Sequence, residues 1–226
     1  MGEKEEKFSI DAENLKNETV ETAKKLKESV KGTNIKEETK ATKGFILEML
    51  KNPLEKVKEV ATDNSGKYLK TAIFLIVIWT ILVFISSTYS TIYYWGFSRV
   101  FSNILSVLKK ILAPALGILV YSVVVLIMNK NNKKSLTDVI STVTITQLPL
   151  MVASLVSLLT IISSKISTVT SPFRALCEIV AIVLGYFGFK NLFNEENDST
   201  FIKKYVLIQL IYHVAYIVIG LLGIYI

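Results

Sequence analysis

The chain has 226 residues, half of them hydrophobic (51%), and its 26 Lys and Arg outnumber its 19 Asp and Glu. Residues 1–70 hold 15 Lys and 14 acidic residues, so the long apolar runs that follow are nearly free of charge. A mean hydropathy of +0.46 with charge-free runs of this length excludes a water-soluble globular domain, because about 20 apolar residues rising ~1.5 Å each cross a hydrocarbon core of about 30 Å.

Residues 1–42 read as a charged, largely disordered cytoplasmic tail. Phe8 is its one aromatic residue, and it has too little apolar surface to fold alone. Leu15, Ala23, Leu26 and Val30 recur near one helical face, which leaves open an amphipathic helix formed on a partner or a bilayer surface. "MGEKEE" lacks the Ser or Thr that a myristoylation signal needs at position six.

Residues 43–66 are denser in apolar side chains and predict amphipathic juxtamembrane helices. Phe45, Ile46, Leu47, Met49 and Leu50 form one apolar patch. Asn52 as cap, Pro53 as first helical residue and Glu55 then open a second helix, along which Leu54, Val57, Val60 and Ala61 follow at helical spacing. The pair is expected to lie on the inner membrane face. Docking against the bundle and binding a partner stand as equal roles for it.

Residues 67–226 read as a five-span transmembrane domain, its crossings bounded by charges at about 71–94, 111–128, 139–163, 172–189 and 205–226. The fold class is all-α, a polytopic membrane helical bundle with a polar N-terminal tail. "SLTD" at 135–138 supplies a capping box before the third span, and Ser171 with Pro172 reads as an N-cap and first helical residue for the fourth. With no signal peptide ahead of it, the first span is expected to act as the uncleaved insertion signal. Eight Lys in the loops of one side against five Lys and Arg in those of the other place the N-terminus in the cytoplasm and the C-terminus outside. A vocabulary rich in Lys, Ile and Asn resembles that of AT-rich bacteria, so the expected location is a bacterial cell membrane.

Candidate functional residues are those that lipid tolerates least. "TITQLPLMVAS" puts Gln147 and Pro149 inside the third span. The proline frees the carbonyl four residues earlier, so a kink is expected there, with Thr144, Thr146 and Gln147 near enough to bond that carbonyl. Gln147 should point into the bundle and bond another helix or the Ile145 carbonyl. Pro114 is expected to kink the second span, and two bent neighbours can enclose a polar cavity. Arg174 and Glu178, spaced i,i+4, read as a local ion pair near the outer surface or as an intramembrane proton or cation site. His213 reads as a buried neutral histidine, hydrogen-bonded to a tyrosine or a backbone carbonyl and not a ligand. Ala113 with Gly117, and Ala181 with Gly185, let helices approach closely, for packing or for a homo-oligomer.

One Cys (Cys177) and one His (His213) give no internal disulfide and no zinc site, and no cofactor is expected. No nucleophile elbow, phosphate-binding loop or His-Glu-x-x-His is present, so the protein reads as not an enzyme. The net charge of +7 fits loop topology, with the lipid bilayer as partner and no nucleic acid.

The order of parts, "LKNPLEKVKEV" before the first span, five spans, and a third span opening "SLTDVISTV" and carrying "QLPL", resembles the Yip1 family from roughly residue 45 to the end. The resemblance implies a five-span membrane protein. Eukaryotic members of that family associate with small GTPases in membrane trafficking. The Asp-Leu-Tyr-Gly-Pro motif of those relatives is missing here, so GTPase binding does not carry over, and the cysteine-free tail lacks the zinc ribbon that some bacterial relatives resemble. The expected function is that of a non-enzymatic membrane-organising or protein-interaction component, with a protein partner engaged through the N-terminal region. The alternative is a small permease or channel with a polar cavity near Gln147 and Glu178.

Overall fold

The computed structural model describes residues 20–25, 27, 34–97, 104–129, 134–161 and 166–221, and among these every regular element is helical. Residues 20–25 and 27 are helical, while most of the helix considered around Leu15, Leu26 and Val30 falls outside the described residues.

Two further helices lead into the spans. α1 covers Ile35–Lys51 and α2 covers Pro53–Thr62. The Asn34 side chain caps α1 by accepting from Lys36 N at 3.2 Å, Glu37 and Glu38 lie in its first turn and Lys51 in its last, so both ends suit the helix dipole. α1 crosses the boundary expected at residue 42, because Thr42, Phe45 and Met49 are buried against the rest of the protein and anchor it. Pro53 opens α2 as expected, but Asn52 makes no side-chain cap bond; its backbone N–H instead closes α1 on Glu48 O. Asp63 then turns the chain, accepting from Ser65 N, Ser65 Oγ and Lys67 N.

The spans follow as α3 (Leu69–Trp95), α4 (Ile104–Met128), α5 (Leu136–Thr146), α6 (Leu148–Ser157), α7 (Ser167–Leu192) and α8 (Asp198–Leu221), with a 3-10 turn at Leu158–Ile161. α3, α4, α7 and α8 are each long and apolar enough to cross a membrane, and α5 with α6 forms a fifth crossing if the pair, bent by 45°, is one span. The capping box before α5 is present, with Ser135 Oγ accepting from Asp138 N and the Asp138 carboxylate accepting from Ser135 N.

The prolines of the spans sit differently in their helices. α7 begins at Ser167, so Ser171 and Pro172 lie inside it and do not cap it. Pro172 falls in the second turn of α7, where it removes one bond of the helical ladder near the end of the helix. Pro114 lies inside one continuous helix, α4. At Gln147, by contrast, the expected kink is a full break between two helices.

α5 is the axis of the bundle. All eleven of its residues are buried, polar ones included, and it packs against α2, α3, α4 and α7. Its small hydroxyl side chains permit this because they bond within the helix: Ser141 Oγ to Thr137 O, Thr142 Oγ1 to Asp138 O and Thr146 Oγ1 to Val143 O, all within 2.9 Å. Gly188 of α7 allows the closest approach, since a Cβ there would lie 2.9 Å from Thr146 Cγ2 and 3.0 Å from Val57 Cγ1. The core therefore gathers at the end of the bundle that carries α1 and α2, around Val57, Val60, Val139, Val143, Phe189 and Leu192. The far halves of α3, α7 and α8 expose Leu, Ile, Val and Phe, as a lipid-facing surface does.

Candidate functional site

The N-terminal helices are clamped to the bundle by an ionic knot laid over an aromatic pair. Lys56 Nζ reaches the Glu48 and Glu59 carboxylates at 2.7 and 2.8 Å and sits over the rings of Phe45 and Tyr68. Tyr68 donates its hydroxyl to Glu59, and Lys67 Nζ lies 3.6 Å from the same carboxylate. Burial pushes the Lys56 ammonium down, but the bonds to Glu48 and Glu59 outweigh it and leave the group above its ordinary value. The hydrogen bonds from Lys56 and Tyr68 hold the Glu59 carboxyl below its own ordinary value. On the other flank Lys134 Nζ donates to Ala61 O at 2.9 Å and to Asn64 Oδ1, joining the end of α2 to the start of α5. Burial keeps the Lys134 pKa below its ordinary value, with Asp138 and Asp63 opposing that shift. α1 and α2 do not thereby hide all their apolar residues: Leu47, Leu50 and Leu54 are 49%, 69% and 46% exposed.

A second feature lies in the other half of the bundle. A cavity of about 350 Å3 forms between α3, α4, α6, α7 and α8. On the α4 side its wall is Ala113, Pro114 and Gly117, where the small side chains leave room. Trp79 and Ser87 contribute from α3, Ser154 from α6, and Tyr212 and Tyr216 from α8. Trp79 Nε1 donates to Ser154 Oγ at 3.0 Å, and Ser154 Oγ in turn donates to Leu150 O at 2.9 Å, which fixes that wall. Lys110, near the start of α4, and Arg174, in the first third of α7, are its charged lining residues.

The cavity ends on an aromatic layer. Tyr121 stacks on Tyr212 at 4.2 Å between centroids, meets Phe189 edge-on at 5.4 Å and accepts a hydrogen bond from Gln209 Nε2. Tyr205 donates to Ile182 O at 2.6 Å. Gly185 makes room for that hydroxyl, which a Cβ would approach to 2.8 Å.

Of the residues singled out in the sequence, Pro114, Gln147 and Arg174 are brought together on this cavity. Gln147 sits at the break between α5 and α6, where its N–H is shared between Val143 O and Thr144 O and its carbonyl restarts the ladder by accepting from Leu150 N and Met151 N. Its side-chain amide lines the cavity and makes no hydrogen bond to another described residue. The expected bond to the Ile145 carbonyl is therefore not the arrangement found; Thr146 turns back to Val143 O and the Thr144 hydroxyl has no partner. Pro149 lies in the first turn of α6, where its missing N–H costs little, and so helps to place the break. Glu178 lies off the cavity and pairs with Arg174 at 3.2 Å on the exposed surface. His213 is exposed and not buried as expected, because α8 turns it outward; the backbone carbonyl near it is Gln209 O of its own helix, 2.7 Å from Nδ1. Among the described residues no three His, Cys, Asp or Glu side chains come together as a metal site would need.

The sequence reading missed Lys110, Trp79, Ser154 and the tyrosines of α8 as parts of one site. Lys110, Ala113, Pro114 and Gly117 recur at helical spacing, a signal that one face of α4 is both small and cationic. The partners across the gap come from four other helices and leave no local pattern.

Comparison with known proteins agrees with the architecture. The family model described as the Yip1 domain matches residues 47–224. No curated protein and no solved structure matches the chain.

Proposed function

The chain belongs to the Yip1 family of membrane proteins, and from this premise we propose that it acts as a non-enzymatic, membrane-organising or interaction component, with α1 and α2 as its partner-binding part. One observation carries the reading: both helices are held rigidly by core packing and by the Lys56 knot, yet Leu47, Leu50 and Leu54 remain uncovered. A fixed platform with an apolar outer face suits recognition, because little conformational entropy is lost when a partner covers it. The excess of Lys in the loops at this end supports a cytoplasmic placement for it.

Photo-crosslinking from residue 47 in native membranes tests this. A protein adduct of defined mass is expected, and Leu50→Glu with Leu54→Glu should remove it while the bundle stays folded. Adducts to lipid alone would mean that the face rests on the bilayer and that the partner-binding reading is wrong.

The cavity favours a second reading, a small permease or channel. A solute crossing from it to the other end would have to pass the buried layer of Tyr121, Val143 and Phe189, which makes a blind binding crevice the better description. Solute flux through reconstituted protein would overturn that preference.

A further inference from the structure

We propose that the cavity between α4, α7 and α8 is a binding site for the anionic phosphate headgroup of a membrane phospholipid, clamped by Lys110 and Arg174. The inference rests on the cavity alone and is independent of the partner-binding reading of α1 and α2, which lie at the other end of the bundle.

Charge decides the class of ligand. Between residues 71 and 190 the only acidic residues are Asp138 and Glu178, and Asp138 is consumed in the cap of α5 at the opposite end. Glu178 pairs with Arg174, whereas Lys110 has no acidic partner among the described residues, so the crevice keeps a positive balance. The aromatic walls could suit a quaternary ammonium group, but two cations on the same lining repel it. An anion is attracted instead, by two cations that are both exposed at the mouth of the crevice.

Size and position select a lipid headgroup over a whole solute. A volume of about 350 Å3 lies at the small end of the ~300–1,000 Å3 range of ligand pockets, room for a phosphate and its glycerol but not for acyl chains. Those chains have a surface to leave along. Leu108 and Leu112 flank Lys110 and are 49% and 55% exposed, and Val214 and Ile217 of α8 are exposed as well. α8 packs mainly on α4 and only lightly on α7, so the helices part where such a ligand would enter from the bilayer. Inside, the unpaired Gln147 amide offers a donor for headgroup oxygens.

The test uses the full chain in phosphatidylcholine nanodiscs, with dioleoyl-phosphatidylglycerol as probe and retained lipid read by native mass spectrometry. Lys110→Gln with Arg174→Gln should lower retention about tenfold or more, as expected for two cations at a membrane surface, and Lys109→Gln less than about twofold. Glu178→Gln, which frees Arg174, should raise retention. Unchanged retention in the double variant, or a loss of the same size in Lys109→Gln, overturns the site. Should the double variant not fold in phosphatidylcholine alone, Glu178→Gln decides, and no gain there overturns the proposal. Inorganic phosphate is the second arm: if it displaces the lipid and stabilises the protein equally at millimolar concentration, the crevice takes a small free anion and the lipid assignment falls.

Discussion

Gly188→Ala isolates the tightest contact in the bundle. The added Cβ would lie 2.9 Å from Thr146 Cγ2, 3.0 Å from Val57 Cγ1 and 3.4 Å from Thr142 Cγ2, three methyl groups on two different helices. All three belong to β-branched side chains, which in a helix have little rotamer freedom, so they cannot swing aside and the backbones must part. Overpacking of this kind costs about 1–3 kcal/mol, against which Ala gains up to ~1 kcal/mol over Gly in helix propensity. Gly44→Ala removes that ambiguity. Gly44 also lies inside a helix, α1, but its Cβ would meet nothing within 4 Å, so the substitution keeps the propensity gain without the contact. Gly44→Ala is expected to be neutral or stabilising, and Gly188→Ala to fall below it by about 1–3 kcal/mol in thermal or denaturant unfolding of the full chain in detergent. Because Val57 is one of the atoms displaced, protease cleavage near the turn after α2 should also rise in Gly188→Ala. If the two variants are equally stable and equally resistant, α7 does not approach α2 and α5 as described, and the docking of the N-terminal helices loses its basis.

Two further outcomes are expected. Gln147→Leu should change stability by no more than about 0.5 kcal/mol in the same assay, since the amide faces the cavity and breaks no bond to protein when removed; a loss of about 1 kcal/mol or more would reveal an interhelical hydrogen bond at that side chain. The docking of α1 and α2 should also weaken in acid. Glu59 has its pKa lowered in the folded protein from the ordinary 4.5, so its contribution is complete above that value and is lost as pH falls through the lower folded value. Protease sensitivity of residues 52–66 should therefore stay low above pH 4.5 and rise as pH falls below it, and Glu59→Gln should flatten the profile; a profile that is the same in the variant would place the acid response elsewhere.

The local signals were legible to the extent that they depend on neighbours in the chain. Charges walled off each apolar run, Ser135 and Asp138 announced a helix start, and Pro53 opened a helix after Asn52. Where local chemistry had more than one outlet, the reading failed. Asn52 has cap chemistry but its side chain makes no cap bond, and Ser171 with Pro172 has N-cap chemistry but lies inside α7.

From hydropathy and charge alone the sequence determines that this chain is a helical membrane protein of several spans, since lipid admits only long apolar helices there and forbids loose backbone polar groups. It also marks which residues are costly in that medium: Gln147, Arg174, Glu178 and His213. Only tertiary structure decides what becomes of them. Gln147 and Arg174, distant in sequence, line one cavity, while Glu178 and His213, equally polar, lie off it. The burial of all of α5, hydroxyls included, was equally hidden, because a Thr-rich helix is cheap at a bundle axis only when four neighbours enclose it and a glycine such as Gly188 lets one of them come close. Periodicity reports which side of a helix is apolar; in lipid both sides may be, and the choice of neighbour then falls to shape and close packing.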